Sequence, residues 1–301
     1  MSVEVASSQR GLEVIIDAAG ATTVGQKRPR NEDQFLVATI RRSMHIHATS
    51  LDEAGAVLPA PAEGTLLLVA DGMGGHGGGD LASAVASRSL VGYLSSVLPW
   101  FDAQAAEPRD PRQSLSGVRD GLNAALRSSD RAVRRASAQP GGVMGMGTTM
   151  TVAYAHYPLV YVAHVGDSRA YLVRNGALHR LTRDHTVADE LAEALQQPVE
   201  EDSPYHHVLT KAIGGGGTKE SEPDIRRADL EVGDVILLCS DGLTKHVRDH
   251  ELAAILAASR SADRTVRTLV DLADERGGTD NITAVVARCT MGQRPDAAPT
   301  R

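Results

Sequence analysis

The chain has 301 residues, of which 42% are hydrophobic, so it can bury a substantial core and does not have the composition of a disordered protein. Its formal net charge is −7, and only 3% of its residues are aromatic. These values argue against a general nucleic-acid binder, which needs a positive surface and aromatic stacking platforms.

Hydrophobic periodicity divides the first half of the chain into strands followed by helices. Strands are predicted over residues 12–24, 34–40 and 65–70. Helices are predicted over residues 80–98 and 114–137, and Pro99 is expected to end the first of them. Residues 41–63 and the proline-containing loop at 99–113 are expected to be insertions outside the regular elements.

The second half continues with a group of strands and closes with helices and one further strand. Strands are predicted over residues 148–156, 159–166, 168–174, 177–182, 234–240 and 281–289. Short helices are predicted near residues 186–196, 249–258 and 263–275. Residues 184–213 are otherwise polar and irregular, the glycine run at 214–217 predicts a flexible joint, and residues 291–301 are expected to be a disordered tail.

Strands that cluster with strands, and helices that come in pairs, are typical of an α+β fold rather than of alternating parallel units. We expect a central β-sandwich of two antiparallel sheets, with a helix pair on each outer side, which makes four layers. The sequence contains neither an internal repeat nor an evident linker. Residues 1–290 are therefore predicted to form a single domain.

Four aspartates lie at the ends of predicted apolar strands. They are Asp71, Asp167, Asp241 and Asp280. Two of them precede glycine, and each of these could be an ordinary turn. Together with Glu32-Asp33 in the first loop, however, such carboxylates would repel one another unless cations neutralise them. Ligands that are all oxygen, with few histidines nearby, favour Mn²⁺ or Mg²⁺ over zinc.

A pair of divalent ions at this position would suit the hydrolysis of phosphate esters. Ions about 3.5–4 Å apart can share a water, lower its pKa and hold the oxygens of an in-line displacement. Arg28 lies five residues before Asp33, and its guanidinium could hold phosphate oxygens. Lys27 and Arg30 compete for that role, and each of the three could instead be a solvated surface charge.

Seven motifs, taken together and in this order, resemble the bacterial metal-dependent protein phosphatases, the type 2C serine/threonine family. The motifs are Gly25-x-x-Arg28-x-x-Asn31-Glu32-Asp33, Asp71-Gly72-Met73-Gly74-Gly75-His76, Gly147-Thr148-Thr149, Gly166-Asp167-Ser168-Arg169, Leu181-Thr182-x-Asp184-His185, Ser240-Asp241-Gly242-Leu243 and Gly278-x-Asp280-Asn281-Ile282-Thr283. Each motif is a weak signal by itself. All seven in sequence, over residues 25–289, are highly specific.

The resemblance implies a set of metal ligands. Asp71 would bridge two Mn²⁺ or Mg²⁺ ions, and the carbonyl of Gly72 would be a further ligand. Asp241 and Asp280 would complete the shell of the first ion. Asp167, together with Asp241, would hold a third and weaker ion.

The resemblance also implies roles around the ions. Glu32 and Asp33 would act mostly through metal-bound waters, and Arg28 would bind the phosphate. Residues 184–213 would form a flap beside the site. The implied activity is hydrolysis of phosphoserine and phosphothreonine on proteins by a metal-activated water, in opposition to serine/threonine kinases.

The general acid is the point at which the chain departs from part of this family. Some members place a histidine directly after the first Asp-Gly, where this chain has Met73. His76 follows three residues later and is expected to have only a modest role. A metal-bound water could protonate the leaving oxygen instead.

Two other functions stay open on the sequence alone. One is a two-metal phosphomonoesterase that acts on small substrates, and the other is a catalytically weak scaffold that binds phosphoproteins. We expect phosphorylated proteins as partners, with a serine/threonine kinase among them, and a monomeric chain. No signal peptide or run of 18 apolar residues is evident, so we expect a cytoplasmic protein that binds neither nucleic acid nor membrane.

Overall fold

Two five-stranded antiparallel sheets form the centre of the computed structural model, which describes residues 13–40, 64–74, 78–101, 115–200, 203–216 and 220–292. The first sheet has the order β1 (Glu13–Thr23), β13 (Ile282–Gly292), β12 (Val235–Cys239), β8 (Arg169–Arg174) and β9 (Ala177–Arg180). The second has the order β11 (Asp224–Asp229), β7 (Leu159–Val165), β6 (Met150–His156), β3 (Gly64–Ala70) and β2 (Gln34–Ile40). The predicted α+β sandwich is confirmed.

A pair of helices covers the outer face of each sheet. The helices α1 (Gly79–Phe101) and α2 (Leu115–Ser137) pack on the second sheet, while α5 (Asp249–Ala258) and α6 (Ala262–Glu275) pack on the first. Two shorter α-helices are α3 (Val187–Leu195) and α4 (Asp241–Thr244), and residues Pro204–His207 form a 3-10 helix. None of the described helices has the length and apolar character that crossing a membrane requires.

The continuous apolar runs of the central strands follow from burial on both faces. In β3, Leu66 and Leu68 pack toward the helices, while Leu67 and Val69 pack between the two sheets. Successive side chains of a strand point to opposite faces, so a strand covered on both sides needs apolar residues throughout rather than alternation. The strand β12 is built in the same way on the other sheet, and all of its residues are buried.

A small third sheet lies beside the sandwich. It joins β10 (Ile213–Gly214), β5 (Gly147–Thr148) and β4 (Gly72–Met73) in that order. The carboxylate of Asp130 in α2 is fully buried, accepts a hydrogen bond of 2.7 Å from the backbone N–H of Gly214 and pairs with Arg134. The prediction of a flexible joint was therefore wrong for Gly214, which belongs to a strand anchored by a buried carboxylate.

Other predicted boundaries also need correction. Helix α1 continues through Pro99 to Phe101, since a proline in the last turn removes only one intrahelical hydrogen bond. The predicted strand at 148–156 is interrupted at Thr149. Strand β13 extends to Gly292, so the first two residues of the predicted tail are paired with β1.

One strand was not predicted, and three predicted segments lie outside the described residues. The missed strand is β11, a polar edge strand on β7 with no long apolar run to reveal it. The insertion at 41–63, residues 102–114 of the long loop and the tail at 293–301 lie outside the described residues.

Candidate metal centre

One end of the sandwich carries an open cleft of about 1280 Å³. The pairing register brings the relevant strand ends to this edge: Gln34 of β2 pairs with Ala70 of β3, and Cys239 of β12 pairs with Ala284 of β13. The cleft lining includes every residue predicted to bind metal, namely Asp71, Gly72, Asp167, Asp241 and Asp280. Arg28 and Glu32 line it as well.

Asp33 lies behind the cleft and is only 3% exposed. Its Oδ2 accepts hydrogen bonds from the hydroxyls of Ser240 (2.8 Å) and Thr283 (2.6 Å). Its Oδ1 is buried without a hydrogen-bond partner. Burial raises the pKa of Asp33 to about 6, although the two hydroxyls lower it in part.

Asp71 is fixed through its backbone by the Gly147-Thr148-Thr149 motif. The N–H of Asp71 donates to Oγ1 of Thr149 (2.9 Å), and the carbonyl of Asp71 accepts from Oγ1 of Thr148 (2.8 Å) and from the N–H of Thr149 (2.9 Å). Burial raises the pKa of the Asp71 carboxyl well above its usual value. Four neighbouring aspartates raise it further, namely Asp33, Asp241, Asp167 and Asp280.

Asp167 is tied to the same backbone by a hydroxyl bridge. The hydroxyls of Thr149 and Ser168 lie 2.7 Å apart, so the turn that carries Asp167 is linked to the strand end that carries Asp71. Burial, together with the charge of Asp241, raises the pKa of Asp167 to about 7. The position of Asp167 is therefore fixed relative to Asp71.

Two basic side chains neutralise the other side of the cleft. Arg28 contacts both oxygens of Asp280, with Nε 2.7 Å from Oδ1 and Nη2 2.8 Å from Oδ2. Lys245 lies 2.6 Å from Oδ2 of Asp241 and 2.9 Å from Oδ2 of Asp280. Burial alone would raise the pKa of Asp280, but Arg28 and Lys245 outweigh it and hold the pKa below its usual value.

In this structure the carboxylates are not arranged as a complete set of metal ligands. Within the described part of the chain, no three carboxylate, imidazole or thiolate groups converge closely enough to hold one ion. Asp280 instead pairs with Arg28 and Lys245, and Asp241 pairs with Lys245. Arg28, predicted to bind phosphate, is here engaged with a predicted metal ligand.

The cleft nevertheless fits divalent cations. Oδ1 of Asp241 and Oδ1 of Asp33 are both buried without a hydrogen-bond partner, which is a costly state for a carboxylate. The pKa values of Asp71 and Asp167 are raised first by burial and then by the negative charges of neighbouring aspartates. A set of oxygen donors with these unmet charges suits Mn²⁺ or Mg²⁺.

The two Asp-Gly pairs are not ordinary turns. Gly72 lies in a strand, and a Cβ atom at this position would collide with the carbonyl of Gly79. Gly242 lies in α4, and a Cβ there would collide with the carbonyl of Asn281. Each glycine permits a close backbone approach that brings an acidic segment against its neighbour.

Three residues of the site were not assigned a role from the sequence. Asn281 joins the first loop to the strand after Asp280, since its side chain accepts from the N–H of Glu32 (2.8 Å) and donates to the carbonyls of Val24 and Arg30. Thr149 holds Asp71 as described above. Lys245 follows Asp241 by four residues, a spacing that identifies a pair on one face once α4 is recognised as a helix.

The flap is anchored next to the cleft by His185. Its Nδ1 accepts the N–H of Gly166 (3.0 Å), and its Nε2 lies 3.2 Å from Oδ2 of Asp224. The backbone carbonyl of His185 accepts from the N–H of Thr210, and Lys211 also pairs with Asp224. The segment 184–213 predicted as a flap is thus fixed at both of its ends.

The source of the general acid stays a prediction. Met73 lines the cleft, and His76 lies outside the described residues. His207, in the 3-10 helix of the flap, also lines the cleft. From the sequence alone, His206-His207 could bind a metal, but a solvated pair in a polar loop was the preferred interpretation.

Comparison with known proteins agrees with the geometry. The family model of protein phosphatase 2C matches residues 45–286. A putative protein phosphatase 2C-type of Streptococcus pyogenes is 34% identical over 265 residues, which cover 87% of this chain and 93% of the relative.

Two solved structures share the fold. The serine/threonine phosphatase of S. agalactiae superposes with a TM-score of 0.71 at 29% identity, covering 91% of this chain and 99% of that structure. The catalytic domain of the serine/threonine phosphatase PstP, in complex with two manganese ions, gives 0.69 at 27% identity, with coverages of 92% and 100%. The chain therefore belongs to the protein phosphatase 2C family of metal-dependent serine/threonine protein phosphatases.

Proposed function

We propose that the cleft holds two Mn²⁺ or Mg²⁺ ions and hydrolyses phosphoserine and phosphothreonine on intracellular proteins. Asp71, the carbonyl of Gly72, Asp241 and Asp280 would hold the two ions. Asp167 and Asp241 would hold a third ion. The presence of two manganese ions in the PstP structure supports the count of two.

The single observation that carries this proposal is the set of unmet charges in one cleft. Beyond burial, the charges of four other aspartates raise the pKa of Asp71, and buried oxygens of Asp33 and Asp241 lack a hydrogen-bond partner. Bound divalent ions would supply Lewis-acid charge and lower the pKa of a bound water. A scaffold without turnover has no need to maintain such a costly group of carboxylates.

The protein's own side chains would position the substrate and the acidic groups. Arg28 is 53% exposed at the edge of the cleft, so its guanidinium can turn from Asp280 to paired oxygens of a phosphoryl group. Glu32 lines the cleft, where its carboxylate would accept hydrogen bonds from metal-bound waters. Ser240 and Thr283 hold Asp33 through one oxygen, which leaves its Oδ1 free to accept a hydrogen bond from a water.

The open shape of the cleft favours a protein substrate over a small ester. The cleft is wide, and the flap residues His207, Val208 and Leu209 lie on its wall. An extended peptide that carries a phosphorylated side chain can lie in such a cleft, whereas a nucleotide would find few enclosing walls. We include a serine/threonine kinase among the substrates and place the protein in the cytoplasm as a monomer.

The test is phosphate release from a phosphothreonine peptide, measured with Mn²⁺, with Mg²⁺ and with chelator. We expect release with either ion and none with chelator. A panel that includes p-nitrophenyl phosphate and ATP, compared by kcat/KM, separates a protein phosphatase from a general phosphomonoesterase. Preference for the small esters would reject the proposed substrate class.

The matched control for the metal ligands is an aspartate outside the cleft. Asp241→Asn should abolish release, while Asp271→Asn on the exposed face of α6 should leave it unchanged. Full turnover by Asp241→Asn would reject the ligand set. Tight phosphopeptide binding by the wild type without any release would support the scaffold instead.

A further inference from the structure

Lys245 lies inside the carboxylate cluster. Its Nζ is 2.6 Å from Oδ2 of Asp241 and 2.9 Å from Oδ2 of Asp280. The side chain is 27% exposed and lines the cleft. The ammonium group therefore sits between two carboxylates that are proposed to bind one and the same divalent ion.

The local sequence fixes this position. Helix α4 begins at Asp241, directly after the buried strand β12, and one helical turn separates Asp241 from Lys245. The turn is closed by a hydrogen bond of 2.9 Å from the N–H of Lys245 to the carbonyl of Asp241. The backbone thus holds Lys245 near Asp241, while its four-carbon stem still allows the ammonium to move.

Side-chain cations neutralise the two carboxylates to different extents. Both oxygens of Asp280 face cations, since Arg28 contacts each of them and Lys245 contacts Oδ2. In Asp241 only Oδ2 faces Lys245, and Oδ1 is buried without a hydrogen-bond partner. The chain therefore carries a substitute for part of the positive charge that the metal ions would provide.

We infer that Lys245 is a resident counter-ion of the metal centre and competes with a divalent cation for Asp241 and Asp280. An ammonium group and a divalent ion cannot share the same carboxylate oxygens, because two cations at that separation repel each other. Metal binding then requires Lys245 to swing out of the pair, and the loss of its two ion pairs weakens the metal affinity. This inference rests on the proposed function, because it takes Asp241 and Asp280 as metal ligands.

The test is direct measurement of Mn²⁺ binding to the full chain after removal of metal with chelator. Titration calorimetry gives the dissociation constant, and the electron paramagnetic resonance signal of free Mn²⁺ gives it independently. Lys245→Met keeps an unbranched stem and removes the charge, and we expect a dissociation constant about tenfold below that of the wild type. Lys245→Arg keeps the charge and should bind Mn²⁺ about as the wild type does.

Lys27→Met is the matched control for net charge. It removes the same charge from an exposed lysine of the first loop and should leave the Mn²⁺ dissociation constant unchanged. Thermal unfolding gives a second readout. In chelator, Lys245→Met should unfold at a lower temperature than the wild type, because Asp241 and Asp280 lose a counter-ion, and Mn²⁺ should raise its Tm by a larger amount.

The outcomes distinguish a failure of the inference about Lys245 from a failure of the proposed metal centre. If the wild type binds Mn²⁺ and Lys245→Met binds it no more tightly, the inference is overturned while the metal centre stands. If neither folded chain binds Mn²⁺, the proposed function fails. If Lys245→Met does not fold in chelator, Lys245→Gln replaces it, purified with Mn²⁺ and then dialysed. A Mn²⁺ affinity of Lys245→Gln no higher than that of the wild type again overturns the inference.

Discussion

Two buried aspartates near the cleft, Asp184 and Asp71, have pKa values that are shifted in opposite directions. Asp184 makes ion pairs with Arg169 and Arg180, and these guanidinium groups outweigh burial and hold its pKa below the usual value. Asp71 lies among other aspartates, and burial raises its pKa well above the usual value. Arginine side chains neutralise Asp184, whereas we propose that bound cations neutralise Asp71.

The contrast separates a structural carboxylate from a functional one. The side chain of Asp184 is 8% exposed, and its ion pair with Arg169 connects the start of the flap to β8. Burial and the charges of neighbouring aspartates raise the pKa values of Asp71 and Asp167, and carboxylates perturbed in this way are characteristic of functional sites. Substitutions in the two regions should therefore change different measured quantities.

The largest effect is expected at Asp71. Asp71→Asn should lower kcat by about 10³-fold or more, because the carboxylate proposed to bridge both ions is lost. It should also raise the Tm in chelator, since one of the repelling charges is removed. Steady-state kinetics and thermal unfolding check the two parts. A variant with wild-type turnover would place the reaction elsewhere.

The second effect is expected at Asp184 and concerns stability. Asp184→Ala should lower the free energy of unfolding by about 2 kcal/mol, less than for a fully buried pair because both arginines reach solvent. Urea denaturation measures it. Asp263→Ala is the matched control, because Asp263 also pairs with an arginine but on an exposed helix face, and little change is expected there. Equal losses in both variants would contradict the contrast.

The third effect is expected at Arg28. Arg28→Ala should raise KM for a phosphopeptide by about tenfold and change kcat less, because the guanidinium binds phosphate in both the ground state and the transition state. Arg30→Ala tests the neighbouring arginine, which also lines the cleft, and should have the smaller effect. The reverse order would transfer the phosphate-binding role to Arg30.

The smallest effect is expected from pH in the absence of metal. The folded pKa of Asp167 is raised from 3.8 to about 7, so the folded chain binds its proton more strongly than the unfolded chain. The resulting stability is fully present below pH 3.8 and is lost as pH rises through about 7. Over this pH range, the free energy of unfolding of the wild type should fall by about 1 kcal/mol relative to that of Asp167→Asn. The fall is small because the side chain borders the solvent of the cleft and its titration is coupled to that of neighbouring carboxylates.

Urea denaturation in chelator at several pH values measures that loss. The difference between wild type and Asp167→Asn should change between pH 4 and 8, and saturating Mn²⁺ should abolish the dependence if the proposed ligand set is right. A difference that is independent of pH in chelator would show that Asp167 is not strained by its neighbours.

The sequence predicted the layers of the fold well because the central strands are apolar on both faces. The runs at 65–70 and 234–240 identify β3 and β12 to within one residue at each end. Strand β11 escaped notice because its residues are mostly charged and it pairs only at one edge. Gly214 was misjudged because its partner, the buried carboxylate of Asp130, lies 84 residues away along the chain.

The sequence identified the acidic residues of the cleft but not what surrounds them. Aspartates that directly follow or precede an apolar run are easy to recognise in the sequence. Antiparallel strands can then bring such residues to one edge of the sandwich. The neutralising role of Lys245 depends on a single helical turn that starts at Asp241, and a four-residue helix has no periodicity to detect. The hydroxyl bridge between Thr149 and Ser168 depends on the packing of two strand ends, which no local pattern encodes.

The hydrogen bond from Gly214 to Asp130 has a consequence for variation far from the cleft. Gly214 pairs with Gly147, and Thr148 pairs with Gly72, so the buried carboxylate of Asp130 in α2 is connected through the small third sheet to Gly72, whose carbonyl we propose as a metal ligand. A change at position 130 is therefore expected to disturb the cleft although Asp130 does not line it.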